Sequence, residues 1–263
     1  MSVKAKKHLG QHFITDKNIC HKIAKQYRSH KNCTKVLEVG PGMGALTDFL
    51  LEEKLEVSVM DVDKESIEYL KQNYPQLQGK IYDADFLKAD LRTIMGDESF
   101  GVVGNFPYNI SSQILFKCIE YRNQIPEIMG MFQKEVALRI AEKPGSKQYG
   151  ILSVFMQAYY DIEYCFTVDE HVFSPPPKVK SGVIRCVRNE RQALPCDEKL
   201  FAQVVKMGFN QRRKTLRNSV KQLLNGNILA HEYMALRPEV LSVDQFIELT
   251  QLIQECANQN TDK

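Results

Sequence analysis

Between Lys35 and about Val187 the chain alternates short apolar, β-branched runs with stretches whose apolar residues recur at helical spacing. No other feature restricts its fold as much. Parallel strands cannot be joined by a tight turn and need a crossover, commonly a helix, so this alternation implies a layered α/β fold around a largely parallel sheet. The strand candidates are Val36 to Val39, Val57 to Asp61, Lys80 to Tyr82, Val102 to Asn105 and Ile128 to Phe132. Among the intervening stretches, Lys64 to Asn73 turns Ile67 and Leu70 inward, and Ile110 to Tyr121 carries Ile110, Ile114, Leu115, Cys118 and Ile119 on one face. Two further strands, roughly Ser153 to Phe166 and Val183 to Val187, follow with no helix between them, which predicts a hairpin and a mixed sheet.

Ahead of the sheet, Thr15 or Asp16 is placed to cap a helix running through Ile19, Ile23 and Ala24 to Tyr27, with Lys6 to Ile14 as a strand-free lead-in. Past Arg188 the composition changes. Asn189 to Cys196 is polar, and from Asp197 onward no strand pattern appears. Leu200, Phe201, Val204 and Val205, then Leu216, Val220, Leu223 and Leu224, repeat every three or four residues. The expectation is an α/β domain over 1–188 and a small helical domain over 189–263, with a polar tail after Cys256. A chain of 263 residues that is 43% hydrophobic is long enough to bury both cores. Its seven cysteines are odd in number and contain no CxxC pair, which argues against disulfides and zinc. Lys4, Lys6 and Lys7 are followed by no apolar stretch of signal-peptide length, and no run is long enough to cross a bilayer. A cytoplasmic protein with no metal and no membrane partner is expected.

Four strand ends carry chemistry. The first runs into Glu38, Val39, Gly40, Pro41, Gly42, Met43 and Gly44, a turn whose backbone can approach a ligand closely. The same letters satisfy a dinucleotide-binding pattern, and Asp61, ending the second strand, suits a ribose hydroxyl pair under either reading. Asp85 and Phe86 follow the third strand, where a carboxylate can accept from an adenine amine and the backbone beside an aromatic can read the ring edge. The fourth strand ends in Asn105, Phe106, Pro107 and Tyr108. The Asn105 side-chain oxygen and the Pro107 carbonyl can accept hydrogen bonds from one amino group while the Tyr108 ring stacks on the base that bears it. Taken singly, each is also an ordinary strand-stopping turn or helix cap. Ligands in open α/β sheets bind beyond the carboxyl ends of the strands, so all four converge on one crevice.

This arrangement resembles the class I S-adenosylmethionine-dependent methyltransferases, and more closely the ribosomal RNA adenine dimethylases. The resemblance rests on Leu9 to Phe13, Glu38 to Gly44, Asp85, Asn105 to Tyr108, Gln133 to Val136, Phe173 to Val179 and Phe209 to Lys214; the last two stretches are similar to those of the small-subunit dimethyladenosine transferases. It implies a Rossmann-like, mostly parallel seven-stranded sheet followed by a small helical domain. It also implies that S-adenosylmethionine is held by His12, Ile14, Glu38, Gly40, Gly42, Asp61, Asp85, Phe86 and Asn105. The target adenine would be held by Asn105, Pro107 and Tyr108, with Phe173 opposite. The family often has Asn where His12 stands and Glu where Asp61 stands. Two adjacent adenosines of small-subunit ribosomal RNA, in an assembling 30S-type particle, are the implied substrate, and a monomer the implied form.

Arg212, Arg213, Lys214 and Arg217, flanked by Lys206 and Lys221, fall in one helical-looking stretch that contains no acidic residue. Such a run is commonly a solvated face, but the interleaved Asn210, Gln211 and Asn218 favour phosphate contact. Lys4, Lys6, Lys7 and His8 at the N-terminus, and Lys178, Lys180, Arg185 and Arg188 near the proline-rich loop, add further positive charge. Two other readings stand beside the methyltransferase. A catalytically silent RNA-binding or transcription-factor relative would need no intact Asn105 turn, and a nicotinamide-dependent dehydrogenase would leave that turn unexplained.

Overall fold

The computed structural model describes residues 3–258. The chain runs through β1 (Phe13–Ile14), α1 (Lys17–Gln26), β2 (Lys35–Val39), α2 (Thr47–Glu52), β3 (Glu56–Asp61) and α3 (Lys64–Asn73). It continues through β4 (Ile81–Asp83), α4 (Leu91–Met95), β5 (Gly101–Asn105), α5 (Ser111–Glu120), β6 (Glu127–Gln133) and α6 (Lys134–Ala141). After α7 (Ile151–Tyr159) come β7 (Tyr160–Val168), β8 (Phe173–Ser174) and β9 (Ser181–Arg188), then α8 (Glu198–Asn210), α9 (Leu216–Ser219) and α10 (Val243–Asn258).

Seven strands form one sheet in the order β4-β3-β2-β5-β6-β9-β7. The first five are parallel, and β9 lies antiparallel to both β6 and β7. From β2 the chain winds outward to β3 and β4, then returns to the other side of β2 with β5. The order therefore reverses at β2 and β5, the place where an open sheet leaves a crevice. The central strands are covered on both faces, as parallel sheets require, so Val36 to Val39 are all buried rather than alternating. In α1, Asp16 caps the helix by accepting from Asn18 N at 2.8 Å, and Cys20, Ile23 and Ala24 form its buried stripe. In α3, Asp63 caps and Ile67 and Leu70 are buried. Each fully buried side chain of this size contributes roughly 1.5–3 kcal/mol. Thr15 caps nothing and instead ties the chain across to Val172, whose carbonyl accepts from both its N–H and its hydroxyl, at 2.8 and 2.9 Å.

Two elements differ from the sequence reading. Residues 153–166 were expected as one strand, but α7 occupies 151–159 and only then does β7 begin. Leu152, Val154, Phe155, Met156, Ala158 and Tyr159 are all buried, and only Ser153 and Gln157, four apart, interrupt the apolar run, so burial on nearly every side masked the helical period. The lead-in to α1 is not strand-free: β1 pairs with β8, setting Phe13 opposite Ser174 and Ile14 opposite Phe173.

The chain divides into two compact units, one of Met1–Leu138 with Tyr160–Arg188 and the other of Arg139–Tyr159 with Asn189–Lys263. The expected boundary at residue 188 separates β9 from the helices after it, but α7 joins those helices. Within the second unit, Phe155 meets Phe201 edge-on with ring centroids 6.0 Å apart, and Tyr149 meets Phe209 at 6.1 Å. Phe201, Val204, Val205, Phe246, Leu249 and Ile253 complete that core. The basic stretch is not one helix: α8 stops at Asn210, residues 211–214 form a turn, and α9 is a single short turn. The polar tail beyond Asn258 lies outside the described residues. Among the described residues no helix is long and apolar enough to cross a membrane, the cysteines are free, and no group of three or more His, Cys, Asp or Glu is disposed to hold a metal ion.

Candidate active site

Beyond the carboxyl ends of β2, β3, β4 and β5 lies a cavity of about 210 Å³, lined by Gly40, Gly42, Asp61, Val62, Asp85, Leu87, residues 105–110 and residues 8–13. A smaller one of about 50 Å³ is lined by Ile14, Glu38, Pro41, Met43, Ala45 and Leu46, and shares Phe13, Gly40 and Asn105 with the first. Gly40 and Asn105 thus stand where the two meet. A Cβ on Gly40 would lie 3.9 Å from both the Asn105 carbonyl oxygen and Pro107 Cδ, an ordinary contact, but its φ of 72° is a left-handed conformation that side chains rarely adopt. Gly42 has φ 57°, and a Cβ would stand 2.7 Å from the Phe13 ring. Only glycine fits.

The Asn105 turn is held from below. Phe106 is buried and packs edge-on against Phe132 with centroids 5.2 Å apart, which leaves its neighbours Asn105, Pro107 and Tyr108 on the cavity side. Asn105 Nδ2 donates to the His12 carbonyl at 2.7 Å. A carbonyl can only accept, so this bond fixes which way the amide faces and leaves Oδ1 available as an acceptor. The Pro107 carbonyl accepts from Ile110 N at 3.2 Å and keeps a second lone pair. The Tyr108 hydroxyl bonds Ser181 Oγ at 2.6 Å, and its ring lies nearly parallel to the His12 imidazole, 25° between planes and 5.5 Å between centroids. Burial raises the Tyr108 phenol above its usual range, so it stays protonated.

The carboxylates differ in state. Glu38 is 1% exposed and accepts from Thr47 Oγ1 at 2.6 Å. Burial pushes its carboxyl from the ordinary 4.5 up to about 8, with the Thr47 bond opposing and Asp48 and Asp61 adding to the rise. The native state therefore holds one more proton than the unfolded chain between these values, and stability falls as pH rises from about 5 through about 8. A Gln at this position keeps the acceptor for Thr47 and cannot ionise. The thermal midpoint of Glu38→Gln should match the wild type near pH 5 and exceed it increasingly up to about pH 8.5; parallel pH profiles for the two proteins would contradict a neutral Glu38. Asp61 is likewise raised by burial, while the N–H groups of Asp63, at 2.9 Å, and of Gly42 oppose the shift. Asp85 accepts from Leu87 N at 3.0 Å.

A strap of residues 6–15 closes one wall. Lys6 Nζ bonds Asp63 and lies 3.1 Å from Glu65, Gln11 Nε2 donates to Asp63 at 3.2 Å, and His12 Nδ1 donates to the Pro175 carbonyl at 2.7 Å. Burial would raise the Asp63 carboxyl, but Lys6, Gln11 and Ser66 outweigh it and hold it below its usual value. Lys6 is therefore part of the site's frame and not a free basic arm.

Of the residues singled out in the sequence, His12, Gly40, Gly42, Asp61, Asp85, Asn105, Pro107 and Tyr108 line the larger cavity, and Ile14 and Glu38 the smaller. Two side chains do not. Phe86 is 3% exposed and lines neither cavity, its place being taken by Leu87. Phe173 is also 3% exposed and packs into the core beside Ile14, so it presents no face to a base. Val62, Leu87, Gln11, Asn109 and Ile110 were missed. Val62 had a signal, a residue after a strand-end acid, and is 46% exposed for a large apolar side chain.

The basic candidates divide in the same way. Lys178, Arg213, Lys214 and Arg217 are exposed. Arg212 is not free: its Nη2 donates to the Ser146 carbonyl at 3.1 Å, its Nε lies 3.8 Å from Glu239, and its guanidinium lies over the Phe209 ring. Lys180 pairs with Asp169 at 2.6 Å, Arg185 with the buried Glu127 at 2.6 Å, and Arg188 is itself buried, so these three add little to an open positive surface.

Residues 2–256 match the model of the ribosomal RNA adenine dimethylase family. The chain is 57% identical over 253 residues to the ribosomal RNA small subunit methyltransferase A of Flavobacterium johnsoniae, covering 96% of this chain and 97% of that protein. It is also 57% identical to the protein of the same name from Cytophaga hutchinsonii, covering 95% and 98%. Among solved structures, a dimethyladenosine transferase from Plasmodium falciparum superposes with TM-score 0.77 at 23% identity, covering 93% of this chain and 98% of that one. The 23S rRNA methyltransferase ErmE gives 0.64 at 25% identity, covering 92% and 99%. With a family model matched over nearly its whole length and relatives of this identity, the chain belongs to the ribosomal RNA adenine dimethylase family.

Proposed function

We propose that this chain transfers methyl groups from S-adenosylmethionine to the exocyclic amines of two adjacent adenosines in a loop near the 3′ end of small-subunit (16S-type) ribosomal RNA. It acts as a cytoplasmic monomer on an assembling 30S-type particle. Family membership and the names of the relatives support the reaction and the substrate. The observation that carries the reading is the Asn105 amide, turned by the His12 carbonyl so that its oxygen is left to accept, at the junction of the two cavities.

The residues present fit S-adenosylmethionine. Its net positive charge meets a lining that contains the carboxylates Asp61 and Asp85, the neutral acid Glu38, and no Lys or Arg. Asp61, whose hydrogen-bond donors are backbone N–H groups, would take the ribose hydroxyls. Val62 and Leu87 would pack on the adenine, and Asp85 would accept from its amine. Glu38 and the smaller cavity would receive the amino-acid end. A nicotinamide dinucleotide would leave the two acceptors of the Asn105 turn, Asn105 Oδ1 and the Pro107 carbonyl, without a role. When bound, the cofactor supplies a methyl group on an electrophilic sulfonium.

The chain's own part is to prepare the acceptor. An adenine amine has its lone pair delocalised into the ring and is a poor nucleophile until it is drawn toward tetrahedral geometry. Asn105 Oδ1 and the Pro107 carbonyl accept hydrogen bonds from its two N–H groups and hold it so, which is orientation together with electrostatic stabilisation. The Tyr108 face stacks on the base and stabilises the positive charge that develops there, by about 1–2 kcal/mol. No side chain need act as a base, because the methylated ammonium is acidic enough to lose a proton to water. The target must leave its stack to reach this turn, so a loop or a locally melted segment is the expected substrate.

Incubation with labelled S-adenosylmethionine and unmethylated small subunits, followed by mapping of the product, tests the reading. Label on adjacent adenosines is expected; binding of RNA without label would leave a silent relative. In the same assay, replacing Arg213, Lys214 and Arg217 together by Ala should reduce the slope of log affinity for RNA against log salt by about 2–3, at roughly 0.7–0.9 for each phosphate no longer neutralised. Cofactor affinity should not change. An unaltered slope would mark these cations as a solvated face.

A further inference from the structure

Tyr108 is useful as a stacking platform only if its ring is held in place. The phenol oxygen lies on the axis of the terminal torsion, so a bond at that atom does not set the tilt of the ring; it fixes where the far end of the ring stands, which the first torsion would otherwise let swing between rotamers. Here it is tied at one atom. The phenol oxygen lies 2.6 Å from Ser181 Oγ, and that is the one hydrogen bond of either hydroxyl among the described residues. Ser181 is fully buried and opens β9, with Gln133 of β6 opposite it on one side and Val168 of β7 on the other. Its position is thus set by two ladders, not by a loop. A buried hydroxyl has to find a partner, and this one finds it in a side chain 73 residues away that lines the cavity.

We propose that Ser181 is a positioning residue for methyl transfer: through the hydroxyl pair with Tyr108 it holds the far end of the ring on which the target base stacks, and so fixes where that ring stands in the cavity wall. This rests on the reading of the Asn105–Tyr108 turn as the base-binding element. It assigns to the start of β9 a function in orienting the RNA base and none in holding the cofactor, since Ser181 lines neither cavity.

The experiment is a double-mutant cycle on the full-length protein, with Ser181→Ala, Tyr108→Phe and the two combined. For each, kcat and KM for small-subunit RNA are measured beside an independently determined cofactor Kd. Removing either hydroxyl frees the ring to swing about its first torsion and leave its place in the cavity wall. Each single variant should lower kcat/KM for RNA about tenfold while cofactor Kd stays within about twofold, and the double variant should be no worse than either single. Losses that multiply in the double variant, or cofactor affinity that falls as much as turnover, would overturn the assignment. So would wild-type kcat/KM in Tyr108→Phe, a change on the cavity side that tests the bond even if Ser181→Ala fails to fold. The failure of the underlying reading looks different: wild-type protein itself would then transfer no label to RNA.

Discussion

Asn105→Ala should lose about 10² to 10³-fold in kcat, the range seen when one preorganised polar contact to a developing charge is removed. It should leave cofactor Kd within about tenfold. The variant deletes two things at once, the Oδ1 acceptor offered to the amine and the Nδ2 donor that meets the His12 carbonyl at 2.7 Å. Asn105→Asp separates them. A carboxylate keeps the acceptor but turns an oxygen toward that carbonyl, so it should be nearly as impaired as Ala if the strap is what orients the amide. An active Asp variant would show that the His12 bond is dispensable. A cofactor Kd that rises as steeply as kcat falls would make Asn105 chiefly a cofactor ligand, since only an interaction confined to the transition state lowers kcat alone. Single-turnover rates at saturating cofactor, with Kd from equilibrium binding, measure both quantities.

Asp61→Ala is expected to show the opposite pattern. Hydrogen bonds to a charged acceptor are worth about 1.5–3 kcal/mol each, so losing the proposed ribose contact should weaken cofactor binding about 10²-fold. The value of kcat at saturating cofactor should stay within about threefold. Because Asp61 also accepts from Asp63 N at 2.9 Å, Asp61→Asn is the necessary companion: it retains that local bond and removes the charge. A loss in Ala that Asn fully restores would assign the effect to the turn and not to the ribose. Burial raises the Asp61 carboxyl, so its protonation sets in at a higher pH than for an exposed aspartate, and wild-type cofactor affinity should weaken correspondingly early as pH falls. Together the two residues give a test with crossed outcomes, Asn105 governing turnover and Asp61 governing binding.

Much of the architecture was legible locally. The period in α1, α3 and α5 is carried by residues three and four apart, the parallel strands are short apolar runs, and the order of Gly40, Asp61, Asp85 and Asn105 along the chain is the order in which successive strands deliver their ends. These follow from near-neighbour sterics and from the rule that parallel strands share a direction, so one edge of the sheet collects every carboxyl end. Where local pattern was weak the reading failed, as in α7, where only Ser153 and Gln157 break an apolar run that is buried nearly all round.

The sequence alone determined the α/β class, the crevice at the reversal of strand order and the residue types that face it. Only the tertiary structure decided what those residues are free to do. Asn105 is oriented by a backbone carbonyl 93 residues away, Phe173 is withdrawn into the core by its pairing beside Ile14, and Arg212 is engaged by Ser146 and Glu239. Glu38 becomes a neutral acid near pH 7 because the folded core removes water from it. The division has one physical cause: periodicity and turn chemistry act between near neighbours, whereas burial and hydrogen-bond partnership are settled between residues that meet only once the chain is packed.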